Sequence, residues 1–160
     1  MDLGLKNKRA LVVGSTAGIG RGIAERLAQE GADVAVCGRN EDGAKSLAAD
    51  IAKSSDVTAR AYRLDLTDPG SVKSLIDETT KDFGGFDIVV ANGGGPPPGG
   101  VANVTLETWE AQFQPMFLSQ VEIVNAFLPG MRERGWGRVL VVASSGTVQP
   151  IPHLGISNTL

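Results

Sequence analysis

The clearest chemistry in this chain lies in seven consecutive residues, Gly14-Ser15-Thr16-Ala17-Gly18-Ile19-Gly20. An apolar run, Arg9 to Val13, leads into them. A stretch with apolar residues at Ile19, Ile23, Ala24, Leu27 and Ala28 leads out, and Gly31 falls just past its end. The first pattern predicts a strand and the second one face of a helix, so the glycines sit in a strand-to-helix turn. Glycine makes such a turn tight and lets the backbone approach a bulky ligand, while a helix start offers unpaired amides and a partial positive charge. The predicted chemistry is pyrophosphate binding. An ordinary strand-to-helix turn is the plainer alternative.

The elements that must position this loop repeat along the chain. Asp33 to Cys37 reads as a second strand, and Ala44, Leu47, Ala48 and Ile51 line a second helix. Thr58 to Leu64 is a weaker strand ending in Asp65. Asp68-Pro69 then opens a third helix with Asp as cap and Pro at the first helical position; Val72, Leu75 and Ile76 follow on one face. Asp87 to Val90 is the fourth strand. The segment Ala91 to Gly100, with its Gly-Gly-Gly-Pro-Pro-Pro-Gly-Gly run, can be neither helix nor strand. Thr105 is expected to cap a long helix running to about Arg134 and bent at Pro115. Gly137 to Ala143 is the fifth strand, and Ser157 to Leu160 has the look of a first helical turn. Strands apolar almost throughout, alternating with helices, predict an α/β fold: a doubly wound parallel sheet of the Rossmann type. The expectation is a single dinucleotide-binding domain over residues 1–160, the N-terminal part of a longer chain truncated after the fifth strand, with part of one sheet face left open.

The Gly-x-x-x-Gly-x-Gly spacing, Asp65-Leu66 after the third strand, Asn92-Gly93-Gly94 after the fourth and Ser144-Ser145 after the fifth together resemble the short-chain dehydrogenase/reductase family. The likeness covers essentially all 160 residues. The triple-glycine, triple-proline loop is similar to that of a divergent branch labelled as like 3-oxoacyl-carrier-protein reductases. The resemblance implies an oxidoreductase that moves a hydride between a nicotinamide cofactor and a carbonyl or alcohol of a small molecule. It also implies a homo-oligomer. Cofactor contacts are then expected at Gly14, Ser15, Thr16, Gly18, Ile19, Gly20, Arg39, Asn40, Asp65, Leu66, Asn92, Gly93 and Gly94. A carboxylate at the end of the second strand would accept from the ribose hydroxyls of NAD. Here Gly38 stands there and Arg39 follows, able to pair with a 2′-phosphate and stack on adenine, which favours NADP(H) over NAD(H). A solvated loop arginine is the alternative.

The family's catalytic residues match poorly. The only tyrosine, Tyr62, lies in the third strand. Leu154 stands at the tyrosine position, Asn158 at the lysine position, and Met116 where a fourth-helix asparagine is expected. Leucine transfers no proton, and asparagine carries no charge to depress a neighbour's pKa. The remaining candidates are Ser144, Ser145 and His153, the last as a substitute general acid. A catalytically inactive nucleotide-binding sensor or regulatory partner is the rival reading, and a lyase that has dropped the redox chemistry a third.

Composition narrows the field. Apolar residues make up 42% and charged residues 21%, and the formal net charge is −3, which argues against nucleic-acid binding through a basic surface. No apolar stretch reaches the roughly 20 residues of a membrane-spanning helix. The N-terminal residues lack the apolar core of a secretory signal, so the cytoplasm is the expected location. A single cysteine, Cys37, permits no internal disulfide and no cysteine-built metal site, and no metal is expected.

Overall fold

The computed structural model describes residues 3–160. Its elements run β1 (Arg9–Val12), α1 (Gly18–Gln29), β2 (Asp33–Gly38), α2 (Glu41–Ser54), β3 (Ala59–Arg63), α3 (Pro69–Phe83) and β4 (Ile88–Ala91). They continue with α4 (Leu106–Phe113), α5 (Ser119–Glu133), β5 (Arg138–Val141) and α6 (Gly155–Thr159). All strand pairs are parallel, in the order β3-β2-β1-β4-β5. The order reverses at β1, so the loops leaving β1 and β4 diverge and open a crevice at the carboxyl edge of the sheet.

Strand composition follows from cover on both faces. Leu11, Val13, Ala35, Cys37 and Val89 point to one side, where they pack with Val72 and Leu75 of α3 and Ile123 and Phe127 of α5. Ala10, Val12, Val34, Val36, Ile88 and Val90 point to the other, against Ala24 and Ala28 of α1 and Leu47 and Ile51 of α2. Alternate residues serve alternate cores, so the strands read as unbroken apolar runs. The buried positions of α1 are Gly20, Ala24 and Ala28, small residues that let the helix lie close to the sheet. Ile19, expected on that buried face, is instead 66% exposed beside the crevice.

Helix starts follow their cap residues. Asn40 Oδ1 accepts from the Gly43 amide at 3.0 Å, Asp68 Oδ1 from Gly70 at 2.8 Å and Thr105 Oγ1 from Thr108 at 3.2 Å. The long helix expected from Thr105 to Arg134 is divided. A π-helical turn over Gln114–Leu118 contains Pro115 and separates α4 from α5. The missing proline amide is absorbed by widening the turn rather than by a simple bend. A second proline, Pro129, lies inside α5. Phe113 stacks on Phe117 across the π turn, with ring centroids 5.0 Å apart. β5 is exposed along its whole length, with Val141 at 73%. No helix among the described residues is long and apolar enough to cross a membrane.

The edge of the sheet opposite the crevice is held by a carboxylate. Asp87 accepts from the Arg9 amide at 3.0 Å, from Arg9 Nε at 3.3 Å and from Arg134 Nε at 3.1 Å. The two arginines also donate to the Phe83 and Phe86 carbonyls, so one cluster ties β1, the end of α3, the start of β4 and the end of α5. Burial pushes the Asp87 carboxyl up, but the Arg9 hydrogen bonds and both guanidinium charges outweigh it and hold the group below its ordinary value. A depressed folded-state pKa gives stability that is present above the unfolded value of about 3.9 and lost as pH falls through the folded one. Asp87→Asn is therefore expected to cost roughly 1–3 kcal/mol near neutral pH, with the gap from wild type closing in acid. Urea unfolding at the two pH values measures this; a gap independent of pH would contradict the charge argument.

Candidate functional site

The turn between β1 and α1 is built by two left-handed residues, Gly14 (φ +61°) and Gly18 (φ +58°). Space around Gly18 is open, whereas a Cβ on Gly20 would lie 2.4 Å from the Gly14 carbonyl oxygen and 2.7 Å from Asn92 Nδ2. Only glycine lets the first turn of α1 settle this near the sheet edge. The N-cap residue is Ala17, which supplies no side-chain hydrogen bond, and the first turn carries no acidic residue. Where α2, α3 and α4 cap themselves, α1 leaves its N-terminal amides facing the crevice, and such an end attracts anions.

Two sets of hydrogen bonds fix the loop. The Asn92 carboxamide, just past β4, donates to the carbonyls of Val13 (3.0 Å) and Gly14 (3.1 Å). Ser15 is fully buried, and its Oγ accepts from the Cys37 amide at 2.9 Å while its own amide donates to the Cys37 carbonyl at 2.9 Å. The Ser15 side chain therefore turns into the fold to join β1 and β2, and does not face the crevice as the resemblance implied. Cys37 itself is a core residue, with burial pushing its thiol up to about 12.

The crevice encloses about 640 Å³. Of the expected contact residues, Gly14, Thr16, Ile19, Gly20, Arg39, Asn40, Asp65, Leu66, Asn92, Gly93 and Gly94 line it. Gly18 stands at the head of α1 beside it. Asn40 lines the crevice but spends its Oδ1 on capping α2. Asp65 accepts from the Thr67 hydroxyl (2.7 Å) and amide (3.0 Å). Those bonds, with the nearby charges of Arg39 and Arg63, hold its carboxyl below the ordinary range. Arg39 is exposed at the end of β2 and forms no ion pair within 4.0 Å among the described residues. Thr67, Pro97, Gln112 and Pro115 also line the crevice and were not anticipated. Gln112 and Pro115 come from the α4 end, whose phase the π turn resets.

A second cavity of about 520 Å³ adjoins the first through Gly93, Gly94 and Gly95. It is lined by Met116, Phe117, Val121, Val124, Val139 and Val141 and also by Ser144 and Ser157. Ser144 Oγ accepts from the Gly146 amide at 3.1 Å, capping a short turn. Ser145 and His153 are exposed and line neither cavity, so the proposed substitute acid lies outside the site. His153 has φ +63°, and its carbonyl accepts from the Gly99 amide at 2.6 Å. The Gly155 amide donates to the Gly99 carbonyl at 2.8 Å, so the proline-rich loop is stitched to the segment before α6. Leu154 pairs with Gly99 in that bridge. Asn158 spends its whole carboxamide on Ile151, accepting from its amide (3.1 Å) and donating to its carbonyl (2.9 Å). Tyr62 is on the outermost strand, where burial and hydrogen bonding to Asp82 push its hydroxyl well above its ordinary pKa.

The sequence profile of the short chain dehydrogenase family matches residues 8–156. An uncharacterized oxidoreductase of Bacillus subtilis, YvrD, is 36% identical over 154 residues, covering 96% of this chain and 57% of its own length. The D-beta-hydroxybutyrate dehydrogenase of Cupriavidus necator is 36% identical over 143 residues, covering 88% and 54%. The chain thus spans little more than half the length of these relatives. Among solved structures, L-sorbose reductase of Gluconobacter frateurii in complex with NADPH and L-sorbose superposes with a TM-score of 0.93 at 31% identity, over 99% of this chain and 60% of that one. An alcohol dehydrogenase of Thermococcus sibiricus complexed with 5-hydroxy-NADP gives 0.88 at 27% identity, over 96% and 65%. The residues that shape the crevice and the family profile cover the same stretch, and the chain belongs to the short-chain dehydrogenase/reductase family of oxidoreductases.

Proposed function

We propose that this chain holds NADP(H) in the 640 Å³ crevice and presents it to a small carbonyl or alcohol compound in the adjoining cavity. One observation carries the reading: an uncapped helix start and an unpaired Arg39 face the same crevice, the first suited to a pyrophosphate and the second to a 2′-phosphate. The relatives with NADPH or an NADP derivative in their structures support it. Gly14, Gly18 and Gly20 would admit the pyrophosphate, Arg39 and Thr16 the ribose phosphate, and Asp65 and Leu66 the adenine. When bound, the nicotinamide supplies or accepts a hydride. The second cavity, walled by valine, methionine and phenylalanine, suits a substrate with an apolar body such as a 3-oxoacyl thioester.

The chain's own residues line the two cavities, but they offer no strong proton donor at the reacting end. Leu154 is apolar and Asn158 is committed to Ile151. That commitment favours a second reading, a nucleotide-binding regulatory protein with little turnover.

Arg39→Ala is expected to weaken NADPH binding by on the order of 1–3 kcal/mol and to leave NADH nearly unchanged, as calorimetry would record. Equal losses for both would mean that the guanidinium stacks or packs instead. Ketone reduction should be slow, because general acid–base help is typically worth about 10²–10⁴-fold. Its pH–rate profile should be the same in wild type and His153→Gln, given that His153 lies outside both cavities. A neutral-range group that disappears in the variant would return the histidine to the chemistry.

A further inference from the structure

Gly38 ends β2 with an ordinary backbone conformation, since it is not among the residues of positive φ. Its glycine is therefore required by space and not by conformation. A Cβ built there would lie 2.8 Å from Thr16 Cγ2 and 3.1 Å from Thr16 Oγ1, but 3.5 Å from Thr16 Cβ, an ordinary contact. Both branches of the threonine face position 38. Rotation about χ1 can carry the hydrogen into only one of those two places, so every staggered rotamer leaves an atom heavier than hydrogen against the strand end.

Backing the whole loop away is also blocked. Ser15, the adjacent residue, is fully buried and bonded to Cys37, the residue before Gly38, through its amide and its hydroxyl. Residues 16 and 38 are thus held in register by the pair beside them. Thr16 Oγ1 has no hydrogen-bond partner among the described residues, and Thr16 lines the crevice between Gly14 and Arg39.

We propose that Thr16 is a specificity-determining residue: it fills the space that a side chain at position 38 needs, and so keeps a carboxylate out of the end of β2. The inference rests on the crevice being an NADP(H) site. Selection for a phosphorylated ribose then has two parts. Arg39 attracts the phosphate, and Thr16 prevents the strand end from acquiring the acid that would repel it and favour an unmodified ribose. A glycine-to-acid change at position 38 alone cannot convert the cofactor preference, because the loop must first make room.

The test is a double-mutant cycle on the full chain with Thr16→Ala, Gly38→Asp and the combined variant, reading NADPH and NADH affinities and the melting temperature. Gly38→Asp alone should lose about tenfold or more in affinity for both nucleotides and melt lower. Adding Thr16→Ala should recover the melting temperature and raise NADH affinity by about tenfold or more, with NADPH still weak, so that the preference inverts. Gly38→Ala with and without Thr16→Ala gives the same coupling in melting temperature should the aspartate variant fail to fold. A wild type that prefers NADPH, combined with strictly additive substitutions or a Gly38→Asp protein that turns to NADH unaided, would overturn the gate alone. A wild type that binds neither nucleotide would overturn the cofactor reading and the specificity claim with it, even if the thermal coupling remained.

Discussion

No side chain on the first turn of α1 at position 20 fits against the carboxyl ends of β1 and β4. At Gly20 a Cβ would stand 2.4 Å from the Gly14 carbonyl oxygen, and the Asn92 carboxamide fills what room remains by donating to the Val13 and Gly14 carbonyls. Everything in the crevice follows from that close approach. It brings the uncapped amides of α1 to the point where the strand order reverses, and it leaves the Gly93–Gly95 backbone as the wall shared by both cavities. Asn92 is thus better described as a strut for the loop than as a group waiting for a ligand. A larger residue at position 20 would move the helix and its partial charge away from the sheet together.

Much of this was legible because the signals are local. Doubly covered strands announce themselves as unbroken apolar runs, and Arg9 to Val13, Asp33 to Cys37 and Asp87 to Val90 each fell within a residue of an observed strand. Asp68-Pro69 and Thr105 marked helix starts through short-range capping chemistry. The glycine spacing located the crevice, since two of its glycines adopt conformations that other residues rarely reach.

Other features depended on contacts distant in sequence. Nothing in Ser15 itself tells that its hydroxyl turns inward to Cys37, 22 residues away. Asn40 could equally have served a ligand or the helix behind it; the Gly43 amide decides for the helix. Pro115 signalled a disturbance but not its form, and the π turn it sits in alters which residues of α4 and α5 face the site. The place of His153 outside both cavities comes from the stitching of Gly99 to His153 and Gly155, a pairing across more than 50 residues that no sequence pattern carries.

The occupant proposed for this crevice is a dinucleotide carrying a 2′-phosphate. Calorimetric titration of the unaltered full chain with NADPH and with NADH tests it most directly. One saturable NADPH site per chain is expected, with an NADH affinity about tenfold or more weaker, the worth of one charge-assisted contact. Equal affinity for the two nucleotides, or no saturable binding of either, would contradict it.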